Sequence, residues 1–196
     1  MSYDGLHDVD MSEFSFNAEG GQGLVTLALF TCVGIAVTVD YAGEARQGQP
    51  RPDKFLAHID EEDGEEAAAA LVQHVDEAKQ RDIRSLHVVA CVLNPESLRE
   101  RPEEPVDEAT MQRQVNLNEH CITMASRFTD GVRSSAFLLV KHHVYEPRNM
   151  IITAANEIRI DSYDWDPDQR GRRSFRGFPD QLQLSSATRV VNQSSS

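Results

Sequence analysis

Residues Leu24 to Val39 read LVTLALFTCVGIAVTV, and the fold turns on how this stretch is divided. It is rich in β-branched residues and interrupted by Gly34, which argues against one helix. It reads as two strands, or as a strand and a short buried helix, and period alone does not choose between them. Downstream, Tyr41 to Lys54 gathers Gly48, Pro50 and Pro52 among charged residues, the signature of a surface loop, and Phe55-Leu56-Ala57-His58-Ile59 resumes as a strand. A long hairpin is expected. Upstream, residues 1–20 are polar and acidic and end in Glu19-Gly20-Gly21, which predicts a mobile or loosely docked arm, with Phe14 and Phe16 able to form a short edge strand.

Beyond the hairpin, Glu65 to Gln80 places Ala68, Leu71, Val75 and Ala78 at helical spacing behind Asp63-Gly64. Leu86 to Leu93 is an apolar strand of the central-sheet type, and Asn94-Pro95 opens a short helical turn. Asp107 suits the N-cap of a second helix to about Phe128, whose stripe takes in Met111, Val115, Ile122 and Ala125, widened by Leu117, Cys121 and Met124. Strands are expected at Ala136 to Val140 and His142 to Tyr145, followed by a hairpin joining Met150 to Thr153 with Glu157 to Ile160. Helices set between blocks of strands predict a layered α/β fold, a largely antiparallel or mixed sheet or sandwich covered by two main helices. The expected organisation is an acidic arm over 1–20, one domain over 21–190 and a frayed tail over 191–196.

A chain of 196 residues with 40% hydrophobic and 26% charged residues has the means to bury one ordinary core. Thirty-two acidic against 19 basic residues give a net charge of -13, which repels phosphate backbones and anionic lipid, so neither nucleic acid nor a membrane is an expected partner. No stretch approaches the ~18 apolar residues of a membrane span, and MSYDGLHDVDMSEF has no basic or apolar leader pattern, so a cytoplasmic protein is expected. Cys32, Cys91 and Cys121 form no CxxC pair, and three thiols point to neither a disulfide framework nor a zinc ribbon.

No phosphate loop, dinucleotide glycine pattern, HExxH or GxSxG occurs, which leaves a thiol as the reactive candidate. Cys91 inside HVVACVL and Cys121 on the helix stripe read as core thiols. Cys32 lies where the chain changes direction between two apolar segments, with Gly34 close behind; position alone leaves a core thiol and a nucleophile both open. His142 and His143 cannot share one face of a strand, which leaves at most one to line a cleft and argues against a two-histidine metal site. Arg170, Arg172, Arg173 and Arg176 form a basic cluster suited to an acidic partner.

Thr26-Leu27-Ala28-Leu29-Phe30-Thr31-Cys32-Val33-Gly34, followed by Leu56-Ala57-His58-Ile59, resembles the chemotaxis glutamine deamidase family, CheD. In that family a Thr stands six residues before the nucleophilic Cys, as Thr26 stands before Cys32, and a His on the next strand is the base. His58 holds that place 26 residues after Cys32, with the surplus length in the Gly43 to Lys54 loop. The family usually has Gly-Ser before the Cys, where this chain has Phe30-Thr31. The same Cys-His core is shared with deamidating bacterial toxins.

The resemblance implies catalytic residues Cys32, His58 and Thr26, no metal or other cofactor, and a protein substrate presenting a glutamine. Geometry adds a condition: residues 26–32 as one strand would hold Thr26 and Cys32 about 20 Å apart at ~3.3 Å per residue, so the chain must turn near Phe30-Thr31 for both to reach one imidazole. The expected activity is conversion of a glutamine side chain to glutamate with release of ammonia, beneath an opening rimmed by the Gly43 to Lys54 loop. Two alternatives remain: another Cys-His enzyme (small-amide amidase, peptidase or transglutaminase), and a non-catalytic protein-binding domain of the same fold.

Overall fold

The computed structural model describes residues 3, 5–43, 51–100 and 106–162. In chain order it contains β1 (His7–Asp8), β2 (Phe14–Ala18), β3 (Leu24–Leu29), β4 (Val33–Tyr41), β5 (Pro52–Ile59), α1 (Gly64–Lys79), β6 (Ile83–Leu93), a 3-10 turn (Pro95–Glu100), α2 (Glu108–Arg127), β7 (Ser135–His142), β8 (Arg148–Ile152) and β9 (Ile158–Ser162). The Leu24 to Val39 stretch is thus two strands, and they belong to different sheets. One sheet has the order β2-β5-β4-β6-β7, the other β1-β3-β8-β9. Most neighbours are antiparallel; β6 with β7 and β1 with β3 are parallel. Parallel β6 and β7 need a crossover, which the 3-10 turn and α2 supply.

The result is a layered α/β domain of two helices, the five-stranded sheet and the four-stranded sheet. On β4, Val33, Ile35, Val37 and Val39 face α1 and α2 in one buried cluster, while Ala36 joins Leu24, Leu29, Leu56, Val89, Cys91, Met150 and Ile152 between the sheets. A strand buried on both faces has no polar side, which is why its sequence runs apolar without alternation. Burying its residues drives association of all three layers at once.

Two expectations are corrected here. Residues 7–18 do not form an arm: β1 pairs with β3, β2 pairs with β5 as an edge strand, and Val9 is buried. Alternating Phe14 and Phe16 stack with His74 of α1, which ties the edge strand to the helix layer. On α2 the buried positions are Met111, Gln114, Asn118, Cys121 and Ala125, with Val115 and Ile122 only half-buried. The helix N-cap at Asp107 is as expected, its side chain accepting from Thr110 N–H at 2.7 Å. The basic cluster at Arg170 to Arg176, the tail over 191–196 and most of the Gly43 to Lys54 loop lie outside the described residues.

A bulge in β3 sets up the interior. Thr26 pairs with Met150 and Leu29 with Arg148, so β3 carries one residue more than β8 over this interval. The extra residue is accommodated at Ala28, which adopts a left-handed φ of 58° and donates its N–H to Asn149 Oδ1 at 2.9 Å. The bulge brings Leu29 into phase with Thr26, so both turn inward. Leu29 then fills the space above Gly34, where an added Cβ would lie 2.6 Å from Leu29 Cδ1 and 3.4 Å from Met150 Cε. The substitution Gly34→Ala is expected to destabilise the fold by about 1–3 kcal/mol through overpacking. Urea unfolding measures this, and an unchanged midpoint would mean that Leu29 and Met150 yield freely.

Candidate functional site

The site grows from register. On β5, Phe55, Ala57 and Ile59 pack in the helix-side cluster, so Leu56 and His58 turn toward the other sheet. His58 pairs directly with Gly34. From the opposite sheet, fully buried Thr26 places Oγ1 2.7 Å from His58 Nδ1. With the proton on Nδ1, the Thr26 hydroxyl oxygen accepts it and Nε2 is left as the basic nitrogen. This is a hydrogen bond between two sheets, made in a solvent-free layer.

Cys32 sits in the bend where the chain passes from β3 to β4, 7% exposed, in the same inter-sheet cluster as Leu29, Ala36, Leu56, Cys91 and Met150. It lies two residues before Gly34 and therefore diagonal to His58 across the β4–β5 ladder. Diagonal positions are about 7–8 Å apart at the backbone, a gap that a long or aromatic side chain spans. The structure thus brings Thr26 and His58 into contact and sets Cys32 at the adjoining register position.

The bend is held from the helix side. Gln114 Nε2 donates to the Thr31 carbonyl at 2.9 Å and to Asn118 Oδ1 at 3.1 Å, and Asn118 Nδ2 donates to the Leu93 carbonyl at 2.8 Å. Because a trans peptide directs its C=O and N–H oppositely, fixing the Thr31 carbonyl toward α2 points the Cys32 N–H away from it. Gln114 and Asn118 escaped the sequence reading. Their signal was two amides four residues apart, in phase with Met111, Cys121 and Ala125.

Electrostatics keep the thiol protonated at rest. Burial and the nearby Asp60 carboxylate push the Cys32 pKa up to about 11, against a lowering contribution from its hydrogen bond with Thr31. Burial would raise the Asp60 pKa too, but hydrogen bonds from Ser12 Oγ (2.6 Å) and from the backbone N–H groups of Asp63, Gly64 and Glu62 outweigh it, so this carboxyl is held below its usual value. Cys91, between the sheets, and Cys121, on the buried face of α2, are pushed up to about 12, burial being the first cause in each. The low-dielectric interior and a neighbouring negative charge disfavour a standing thiolate at Cys32. Activation at this position therefore requires the proton to leave during attack.

The two adjacent histidines separate as strand geometry demands. His143 is at the surface, its Nε2 3.0 Å from Glu100 and its ring stacked on Tyr145, whereas His142 is buried at the end of β7. The described ends of the Gly43 to Lys54 connection lie away from Cys32 and His58. β4 starts beside Cys32 and β5 ends beside His58, so their connection departs after Tyr41 and returns at Pro52, at the far end of the hairpin. Among the described residues, no helix is long and apolar enough to cross a membrane. No protein-family model matches this chain, and no curated protein matches it.

Proposed function

We propose that this chain is a cysteine-dependent protein-glutamine deamidase acting in a reducing compartment such as the cytoplasm. The observation that carries this reading is the 2.7 Å hydrogen bond between His58 Nδ1 and Thr26 Oγ1, which, with the proton on Nδ1, leaves Nε2 as the basic nitrogen on the face shared with Cys32. That is the arrangement of nucleophile, base and orienting group. Cys32 Sγ attacks the carboxamide carbon as His58 takes the thiol proton. The tetrahedral intermediate collapses with ammonia leaving on that proton, and a water deprotonated by His58 then hydrolyses the thioester to glutamate. The Cys32 N–H, turned away from the Gln114-held carbonyl, is the nearest backbone candidate to stabilise the oxyanion.

A second reading, a non-catalytic binding domain with Cys32 as a core thiol, draws support from its low exposure and raised pKa. The substitution Cys32→Ser separates the two. For a deamidase, ammonia release from a glutamine-bearing protein disappears while the urea midpoint barely moves. For a core thiol, the wild type releases no ammonia and the substitution acts only on stability. Ammonia release without peptide cleavage or cross-linking also distinguishes deamidation from peptidase and transglutaminase chemistry.

A further inference from the structure

We propose that His142 is the carboxamide-recognising residue of this site, its Nε2 accepting a hydrogen bond from the NH2 group of the glutamine side chain; the proposal rests on the deamidase reading above. Its place follows from the ladders. Gly34 pairs with Cys91, and Leu93 pairs with His142. Continuing both to the strand ends puts Cys32, Leu93 and His142 in one row, with Cys32 and His142 two strands apart, about 10 Å at the backbone. Leu93, between them in the row, packs with Leu98, Met111 and Val144 in a cluster separate from the inter-sheet one. Val140, paired with Cys91, packs against the inter-sheet cluster, and His142 two residues on along β7 shares its face.

The tautomer of His142 is set by its neighbour. Nδ1 lies 3.1 Å from the His143 carbonyl, and a carbonyl only accepts, so Nδ1 carries the proton and Nε2 presents a lone pair. Among the described residues that Nε2 is buried and has no hydrogen-bond partner, although His142 as a whole is only 2% exposed. Burial also lowers its pKa, which keeps the ring neutral. A dry, unsatisfied acceptor is costly to maintain and calls for a donor. A carboxamide bridging a sulfur about 3 Å from its carbon and an acceptor about 3 Å from its nitrogen fits such a spacing once both side chains project into it. A carboxylate in the same place sets acceptor against acceptor, so the site takes glutamine and releases glutamate. Arg148 is already engaged by Glu146 at 3.1 Å and Ser162 at 2.7 Å.

Two small alkylating agents test this without requiring turnover: iodoacetamide carries the amide, iodoacetate the carboxylate. Their relative rates at Cys32, read by peptide mass spectrometry and normalised to the same ratio for glutathione, are expected to favour the amide about threefold to tenfold in the wild type. His142→Leu, which removes the acceptor, should return the ratio to that of glutathione, and His142→Gln, which supplies a new acceptor, should keep part of it. A wild-type ratio equal to glutathione's overturns the proposal even if the leucine variant fails to fold, as does an unchanged ratio in a folded His142→Leu protein, the result of a water-filled pocket. Amide preference without ammonia release leaves His142 as a carboxamide site and removes the reaction. Ammonia release without the preference removes only the role of His142.

Discussion

In the His58→Ala protein, ammonia release is expected to fall by a factor of about one hundred to ten thousand, the usual loss when a positioned acid-base group is removed. The loss should exceed that of an ordinary cysteine hydrolase with a preformed ion pair, because here the resting thiol is protonated and burial with Asp60 opposes its ionisation. Without the imidazole, attack depends on the rare thiolate, and the residual rate should climb about tenfold per pH unit toward pH 11. The orienting hydroxyl contributes less: Thr26→Val is expected to cost roughly tenfold, about one hydrogen bond, with Thr26→Ser recovering most of it. Rates measured across pH on all three variants check the assignment, and a wild-type rate in His58→Ala would remove His58 as the base.

The domain should also lose stability steeply in alkali. Cys32, Cys91 and Cys121 titrate in the fold at about 11, 12 and 12, and at about 8.5 once unfolded. Between these limits the native state holds protons that the unfolded chain has released, so stability falls as pH rises. Each thiol contributes up to about 1.4 kcal/mol per pH unit, and the three together about 4. Below pH 8.5 the thiols are protonated in both states and impose no slope. Tyr41, pushed up to about 12 mainly by burial, adds to the loss only above about pH 10. Two pH units above 8.5 therefore remove about 8 kcal/mol, half or more of an ordinary stability of about 5–15 kcal/mol. Urea midpoints under reducing conditions from pH 7 to 10.5 measure the slope, and Cys121→Ala should remove about a third of it. A flat profile would show that the thiols reach water in the folded state.

Much of this architecture was legible because its signals are local. Asp107 before an amphipathic run, Asn94-Pro95, and the short Ala154-Ala155-Asn156 turn each mark an element end through their own chemistry. The turn before Cys32 followed from strand length together with the condition, implied by the resemblance, that Thr26 and Cys32 reach one imidazole, and the bend lies at Phe30, Thr31 and Cys32. What escaped notice depends on partners distant in sequence. The left-handed Ala28 is held by Asn149, and no property of Ala-Leu announces a bulge. Gln114 and Asn118 passed unnoticed because hydropathy cannot express that their amides serve the carbonyls of Thr31 and Leu93. The N-terminal segment looked unattached because its stability resides in the edges of two sheets that the rest of the chain must first build.

The interior between the sheets is apolar through its middle and polar at its two ends. At one end Thr26 bonds His58; at the other, Asn156 of the β8–β9 turn donates to Asp53 at 2.8 Å, whose other oxygen lies 2.7 Å from buried Lys54. Greasy surfaces slide at little cost, whereas a hydrogen bond fixes a direction, so these two contacts act as pins that set the offset of one sheet on the other. The bend at Cys32 leads directly from β3 to β4, and His58 and Thr26 belong to opposite plates. Alignment of Thr26, Cys32 and His58 is therefore a property of how the plates are stacked, and slack introduced at the Asp53–Asn156 pin would be felt along the length of the sandwich as play at Cys32.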